Sequence, residues 1–261
     1  MVSVNLLVQQ LVNGLFFGGQ LALLAVALTL IYGVGRVLNF AHGGVFMLGG
    51  YAGLFAIEYT GSWAVAIPAA VGVTFLLGVG IETALVRRLR DRTEFDLASI
   101  IATLGLWIVL ENGMRLLVGS SQQSIEPMVS DVWIVGSTVV NVQRLVIFVI
   151  SVAAIGGLFV LIQYTRFGLG LRAAAEDDQV TRLMGVNMPR MYALTFGLST
   201  ALAGLAGVLL APIFSVYPAV GNRPFLLAFI VVIIGGLGSV RGTLIAALFI
   251  ALVRSLSLIW L

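Results

Sequence analysis

Few side chains in this sequence could do chemistry. His42 is the single histidine, and neither cysteine nor lysine occurs among the 261 residues. Without cysteine, thiolate nucleophiles, disulfides and Cys-ligated metals are excluded, and one histidine argues against a His-rich metal site. A serine paired with His42 is formally possible, but nothing in the sequence brings the two together. We therefore predict a chain with no catalytic residue, no metal and no cofactor of its own.

The ionisable residues within apolar segments lie in pairs. Glu111 and Arg115 stand at i and i+4, where they share one helix face, and Glu82 precedes Arg87 by about one turn. An ionisable group within the membrane is a functional candidate by default because burying it is costly. Local pairing explains these groups without a substrate, so we interpret both pairs as structural.

His42 and Asn39 follow a run of glycines, Gly33 and Gly35, at the end of a long apolar stretch. An imidazole or amide there could hydrogen-bond a substrate or hold the interrupted backbone. Interrupted helices must satisfy their freed backbone groups locally, which favours the backbone-holding role. Both roles remain open from the sequence.

The composition determines what kind of element positions these residues. Hydrophobic residues make up 60% of the chain, charged residues only 10%, and the mean hydropathy is +1.12. A soluble domain is about a quarter charged. Stretches of roughly 20 apolar residues can cross the hydrocarbon core. They predict an all-α membrane protein with about eight transmembrane helices, forming a single transmembrane domain over 1–261, near 6–34, 43–59, 63–86, 97–118, 143–164, 191–212, 225–236 and 242–261.

Two of these spans are predicted to be broken or short, at the glycine-rich ends described above and at the end of the seventh span. Membranes tolerate irregular backbone only where it is buried in protein or lines a cavity. We therefore expect the breaks to be non-helical and to lie beside a translocation pathway. The residues assigned to it are Asn39, Phe40, Ala41, His42, Gly43, Gly44, Gly235, Gly236 and Gly238. Pairs of glycines at GxxxG spacing, Gly14/Gly18 and Gly49/Gly53, predict close helix packing.

Arginine-rich loops set the orientation. One loop holds four arginines between 87 and 92, and the other holds four between 166 and 190. By the positive-inside rule both are cytoplasmic, which places the N-terminus and the 119–142 loop outside. The basic residues are too few and too dispersed to indicate nucleic acid as a partner.

The longest polar stretch, 165–190, has helical periodicity with apolar and charged residues interleaved, and Gly185 is a plausible stop. A short amphipathic helix at 171–187 would suit a groove on a partner. A solvated loop of mixed charge is the equal alternative. A Walker A loop needs a lysine, so another chain must bind any ATP that the protein uses.

Four motifs carry a resemblance that spans nearly the whole chain. They are LNFAHG at 38–43, GLGLRAAAED at 168–177, LMGVN at 183–187 and GGLGSVRG at 235–242. In their order and spacing they resemble the LivH-like permease subunits of branched-chain amino-acid ABC transporters. Where relatives often have an acidic residue after the NFAHG run, this chain has Gly44, so no role for a carboxylate transfers there.

The resemblance implies a permease subunit that forms half of the import pathway for branched-chain or similar small amino acids in the cell (plasma or inner) membrane. It implies four kinds of partner: a second, LivM-like permease or a copy of this chain, two ATP-binding cassette ATPases, an external solute-binding protein and the lipid bilayer. It also implies that 165–190 couples to the ATPase. The coupling residues assigned on this basis are Leu171, Arg172, Ala175, Glu176, Asp177, Arg182, Leu183, Gly185 and Asn187.

Two other functions remain open. Urea or short amides are alternative substrates because related permeases share the architecture. A stand-alone secondary transporter or channel is the other alternative, but it would be expected to show ion-coupling carboxylates at the centre of the membrane. Here the acidic residues lie at helix ends and in loops.

Overall fold

A computed structural model describes residues 4–90, 92–135 and 138–259. Within them the chain forms ten α-helices and one β-hairpin. The helices are α1 (Val4–Gly35), α2 (His42–Thr60), α3 (Trp63–Ile81), α4 (Phe95–Val118), α5 (Val142–Tyr164), α6 (Arg166–Glu176), α7 (Asp178–Leu183), α8 (Met188–Phe214), α9 (Asn222–Gly235) and α10 (Val240–Ser257). The hairpin pairs β1 (Val132–Val135) with β2 (Thr138–Asn141), antiparallel and in the register Val132 to Asn141.

Each of the eight predicted spans corresponds to one helix, and the all-α polytopic fold is confirmed. Within the described residues, six helices are long and apolar enough to cross a membrane: α1, α3 with its short extension to Leu89, α4, α5, α8 and α10. The other two are α2, with 19 residues, and α9, with 14. The prediction of a short seventh span agrees with the length of α9.

Helices α1 and α8 form the centre of the bundle. They are largely buried, whereas α4 and α5 expose most of their apolar residues. Glycines allow the close contacts around this centre, because a Cβ at Gly49 would overlap the backbone of Gly204 in α8. A Cβ at Gly18 would similarly lie 2.9 Å from Leu248 of α10. Both predicted GxxxG pairs therefore lie at helix contacts.

The exposed apolar residues of α4 and α5 suit a lipid environment. Ile101, Ile108 and Val109 of α4 are each more than half exposed, as are Val149 and Val160 of α5. In water such faces would be costly, but hydrocarbon solvates them. Ser99 and Thr103 are the polar exceptions on α4, and both are fully buried on its inner side.

The hairpin lies at the same end of the bundle as the start of α1. The side-chain amide of Gln9 donates to the Val139 carbonyl and accepts from the Val139 N–H, each at 2.8 Å. A second link at this end joins Gln123 and Val216 through two backbone hydrogen bonds. The sequence predicted only a loop for this segment.

Candidate functional site

The first predicted break is the connection between α1 and α2, and its backbone is held by two side chains. Asn39 is fully buried, and its Oδ1 accepts from the Ala41 N–H at 3.1 Å. The Phe40 N–H donates to the Thr103 hydroxyl at 3.1 Å, and that hydroxyl donates in turn to the Ser99 carbonyl at 2.8 Å. The N–H groups of Phe40 and Ala41 are therefore satisfied within the protein, as membrane burial demands.

His42 does not hold this backbone. It is fully buried, and neither ring nitrogen has a hydrogen-bond partner among the described residues. The backbone-holding role that the sequence favoured for His42 is therefore filled by Asn39 and Thr103. Thr103 was missed, although Ser99 and Thr103 stand four residues apart as polar residues in the otherwise apolar stretch 97–110, and that spacing is visible in the sequence.

The predicted non-helical segment is shorter than expected, because His42, Gly43 and Gly44 already form the first turn of α2. The backbone hydrogen bond from Val45 N–H to the Ala41 carbonyl, at 2.9 Å, begins the helix there. The two glycines let this turn approach α4: a Cβ on Gly43 would lie 2.8 Å from the Trp107 ring.

Aromatic rings seal the same region against α9. The Phe40 ring lies 5.5 Å from that of Phe225 and 5.4 Å from that of Phe229, centroid to centroid. Trp107 meets Phe225 edge to face at 5.0 Å. These ring contacts pack the connection between α1 and α2, together with α4, against α9.

The second predicted break is the tight turn between α9 and α10. Gly235 ends α9, and Gly236 and Gly238 adopt φ values of +89° and +87°, which favour glycine. A Cβ on Gly238 would lie 3.2 Å from the Cα of Gly33. The end of α1 and the second break therefore touch through backbone, which the sequence alone did not indicate.

The coupling segment folds as two helices, and the single helix predicted over 171–187 is wrong. Asp177 breaks it: its φ is −150° and its carboxylate caps α7 by accepting from the Val180 N–H at 3.0 Å. Gly185, with φ at +86°, follows the end of α7 as expected. Asn187 caps α8 by accepting from the Arg190 N–H at 3.1 Å.

The assigned coupling residues divide between the membrane side and the solvent. Leu171 is 3% exposed and packs with Ala174 on α1 and α8, so it cannot reach a partner. The remaining ones are exposed: Arg172, Ala175, Glu176, Asp177, Arg182, Leu183, Gly185 and Asn187. Arg172 donates to the Gln163 side chain at 3.2 Å, and Arg182 pairs with Asp178 at 3.2 Å.

Four large apolar side chains of this segment are exposed: Leu169 on α6, and three that lie on α7 or directly after it. Val180 is 53% exposed, Leu183 87% and Met184 79%. Arg182 directly precedes Leu183 on α7, and exposed Glu176 ends α6 four residues before Val180. We name Val180, Leu183 and Met184 the coupling face.

Two arginines tie the end of α3 to the start of α8, directly after the coupling segment. Arg87 donates to the Pro189 carbonyl at 3.1 Å and pairs with buried Glu82 at 3.1 Å. Arg90 pairs with the same carboxylate at 3.6 Å, and its guanidinium lies 3.5 Å from the Tyr192 ring centre. Burial lowers the pKa of Arg90, and the Glu82 carboxylate opposes the shift. The predicted structural pairing of Glu82 with Arg87 is present, as is that of Glu111 with Arg115 at 2.9 Å.

Two clefts flank the bundle at opposite ends. One, of about 590 Å³, lies between the coupling segment and the end of α1, with Arg90 and Tyr192 in its lining. At the other end, two adjoining recesses of about 290 and 300 Å³ open between α1, α8, α9 and α10. Gln20 and Arg254 line both recesses. The sequence did not indicate either cleft, because the lining residues come from distant parts of the chain.

Apolar helices around a glycine-packed centre define a multi-pass membrane protein, and the coupling face at one end is exposed. Residues 10–261 match the family described as the permease component of the branched-chain amino acid transport system. The chain belongs to this family.

Named relatives of the family align with this chain over most of their length. The high-affinity branched-chain amino acid transport system permease protein LivH of Salmonella typhimurium is 33% identical over 95% of this chain and 85% of its own. BraD of Pseudomonas aeruginosa, named for the same transport system, is 32% identical over the same shares. The ribose import permease protein RbsC of Escherichia coli is 25% identical over 90% of this chain and 73% of its own. No solved structure matches the chain significantly.

The family assignment confirms the resemblance found in the sequence motifs. The chain is a transport subunit rather than an enzyme, and it is a multi-pass protein of the inner, or plasma, membrane. As one component of a transport system, it works with other subunits.

Proposed function

We propose that this chain forms half of the translocation pathway of an ATP-driven importer for branched-chain or similar small amino acids. Its partners are a second permease, LivM-like or a copy of itself, two ATP-binding cassette ATPases and an external solute-binding protein. Family membership and the named relatives support the substrate class. The coupling face is the structural observation that carries the proposal.

The coupling face has the properties of a docking site for a soluble partner. Large apolar side chains that are 53% to 87% exposed at a loop are costly in water unless a partner covers them. Glu176 and Arg182 are exposed and near it along the chain, and we assign them to its charged rim, which fixes register in such contacts. We assign the ATPase to this site because the segment resembles the coupling region of the family, and because a chain without a lysine for a Walker A loop needs another chain to bind ATP.

Movement of the coupling face reaches the pathway through α8. Helix α8 begins at Met188, five residues after α7 ends, and is largely buried at the bundle centre. The contacts of Arg87 with Pro189 and of Arg90 with Tyr192 make α3 follow α8. A shift of the docked helices therefore displaces two membrane helices together, which is how ATPase closure switches the pathway.

The docking test removes two apolar side chains of the coupling face and leaves the buried residues unchanged. In the double variant Leu183→Ser, Met184→Ser, both side chains are solvent-exposed, so the membrane domain should fold while the ATPase fails to co-purify. The matched control is Ile134→Ser, which replaces an equally exposed residue, 74% exposed, on the hairpin at the other end. Retention of stoichiometric ATPase by the double variant would reject this docking site.

Charge reversal provides an independent test of the rim. Glu176→Arg should uncouple ATP hydrolysis from transport. Reversing Asp177 as well would also remove the cap of α7, at a cost of about 1 kcal/mol, so the single Glu176 variant is cleaner. Normal coupled uptake by Glu176→Arg would exclude a rim contact there.

The orientation with the N-terminus outside is part of the proposal, because it places the coupling face in the cytoplasm. The chain has no cysteine, so single cysteines at Gln122 and Gln179 can be labelled without background. A membrane-impermeant maleimide should reach Gln122→Cys only from outside and Gln179→Cys only from inside. Labelling of both from one side would overturn the orientation.

A further inference from the structure

The cleft opposite the coupling face carries an unbalanced positive charge. Arg254 lines both of its recesses, Arg144 lines one, and Arg223 lines the other. No acidic residue lines either recess, and none of these three arginines has an acidic partner within 4 Å among the described residues. Three unpaired guanidinium groups around one opening form a site that attracts an anion.

A buried polar side chain marks the bottom of the cleft. Gln20 is only 6% exposed, it lines both recesses, and its amide has no hydrogen-bond partner among the described residues. Its amide atoms are not among the enclosed side-chain atoms that lack a partner, so they open into the recess, where a bound polar group can replace solvent as their partner. The recess therefore offers a polar contact that is more buried than the arginines.

The walls of the cleft are apolar. Leu24, Leu210 and Leu227 line one recess beside Arg223, and Phe17 lines both. The Phe17 ring holds the Arg254 guanidinium at 4.2 Å from its centre, which orients the cation without neutralising it. Recesses of about 290 and 300 Å³ are at the small end of ligand sites.

We propose that this cleft binds a small carboxylate that carries an apolar side chain, with Arg254 contacting the carboxylate and Gln20 completing the polar contacts. The inference deepens the proposed function and rests on it: the ligand is the amino acid on its way into the pathway. Guanidinium groups match carboxylates in a bidentate geometry, and the leucines accommodate an aliphatic side chain. Because no acidic residue lines the recesses, the ammonium group contributes little to binding.

Because the lining has no acidic side chain, the cleft should select ligands by their carboxylate and not by their amine. L-Leucine and 4-methylpentanoate share the carboxylate and the side chain, whereas leucinol keeps the amine and the side chain but lacks the carboxylate. The first two should bind in the cleft, and leucinol should not. A site that recognised the side chain or the amine would give a different order.

The experiment uses the assembled transporter with a single cysteine at Ile213, which lines both recesses. A small neutral thiol reagent labels Ile213→Cys, and the labelling rate is measured with each of the three ligands, without the solute-binding protein. Leucine and 4-methylpentanoate should slow labelling, and leucinol should not. We call the leucine concentration that halves the labelling rate the protecting concentration. Adding Arg254→Gln should raise it at least about tenfold, since charged hydrogen bonds are lost.

The controls separate charge from fold. Arg254→Lys keeps the charge but loses the fork, so its protecting concentration should lie between those of the parent and Arg254→Gln. Arg115→Gln removes an arginine that pairs with Glu111 and does not line the cleft, and it should leave protection unchanged. Each variant is first shown to assemble with the ATPase.

Three results would overturn the inference. They are equal protection by leucinol, unchanged protection in Arg254→Gln, and labelling that slows with anionic lipid but not with leucine, which would mean that a headgroup phosphate occupies the arginines. If the parent complex imports leucine but leucine never protects Ile213→Cys, this inference fails while the proposed function stands. Protection by leucine in a complex that performs no ATP-driven uptake would instead reject the proposed function.

Discussion

The Arg90 guanidinium lies 3.5 Å from the centre of the Tyr192 ring, which joins a cation at the end of α3 to an aromatic ring near the start of α8. The same arginine pairs with fully buried Glu82 at 3.6 Å. The contact stands between the coupling segment and the membrane, so we propose that it transmits movement as well as stabilising the fold.

Replacing the Tyr192 ring tests whether its contact with Arg90 transmits movement. Tyr192→Leu removes the cation–π contact and should lower the free energy of unfolding by about 1–2 kcal/mol, and it should raise the ATP hydrolysed for each amino acid imported. Tyr192→Phe keeps the ring and should behave like the parent in both measurements. Equal coupling ratios in the two variants would show that the contact does not transmit movement.

The glycine contact between α2 and α8 gives a test of packing. A Cβ in Gly49→Ala would overlap the Gly204 backbone, so the helices must separate, at a cost of about 1–3 kcal/mol. Gly105→Ala is the matched control, because no atom lies within 4 Å of its new Cβ, and it should be neutral or stabilising. Thermal unfolding of the purified variants compares the two, and equal stability would contradict the close approach.

The hydroxyl of Thr103 gives a test of the connection between α1 and α2. Thr103→Val is similar in shape but leaves the Phe40 N–H without its acceptor, and it should lower the free energy of unfolding by about 1–3 kcal/mol. Thr103→Ser retains the hydroxyl and should lose much less. If valine were tolerated as well as serine, another group would have to satisfy that N–H.

The helices were predictable because hydrocarbon imposes a length of about 20 apolar residues on each span. Structural details that depend on a single side chain were less predictable from the sequence. Asp177 reads as part of a charged helix face, yet its carboxylate caps α7 and divides the segment into two helices. His42 was prominent as the single histidine, but Asn39 and Thr103 make the bonds that hold the connection.

The cleft opposite the coupling face could not be predicted from the sequence for a different reason. Gln20, Arg144 and Arg254 lie in three helices separated by more than 100 residues along the chain, and no motif links them. Only the packing of α1 against α10 and α5 brings them to one opening. Long-range proximity of this kind has no periodic signature.

Uptake into proteoliposomes that contain this chain with its second permease and ATPases tests the proposed ATP-driven import most directly. Radiolabelled leucine is supplied outside with the solute-binding protein, and ATP is supplied only on the side that exposes the coupling face. We expect accumulation that requires ATP hydrolysis on that side and is lost in the double variant Leu183→Ser, Met184→Ser. Leucine accumulation by this chain without an ATPase, or driven by an ion gradient alone, would contradict it.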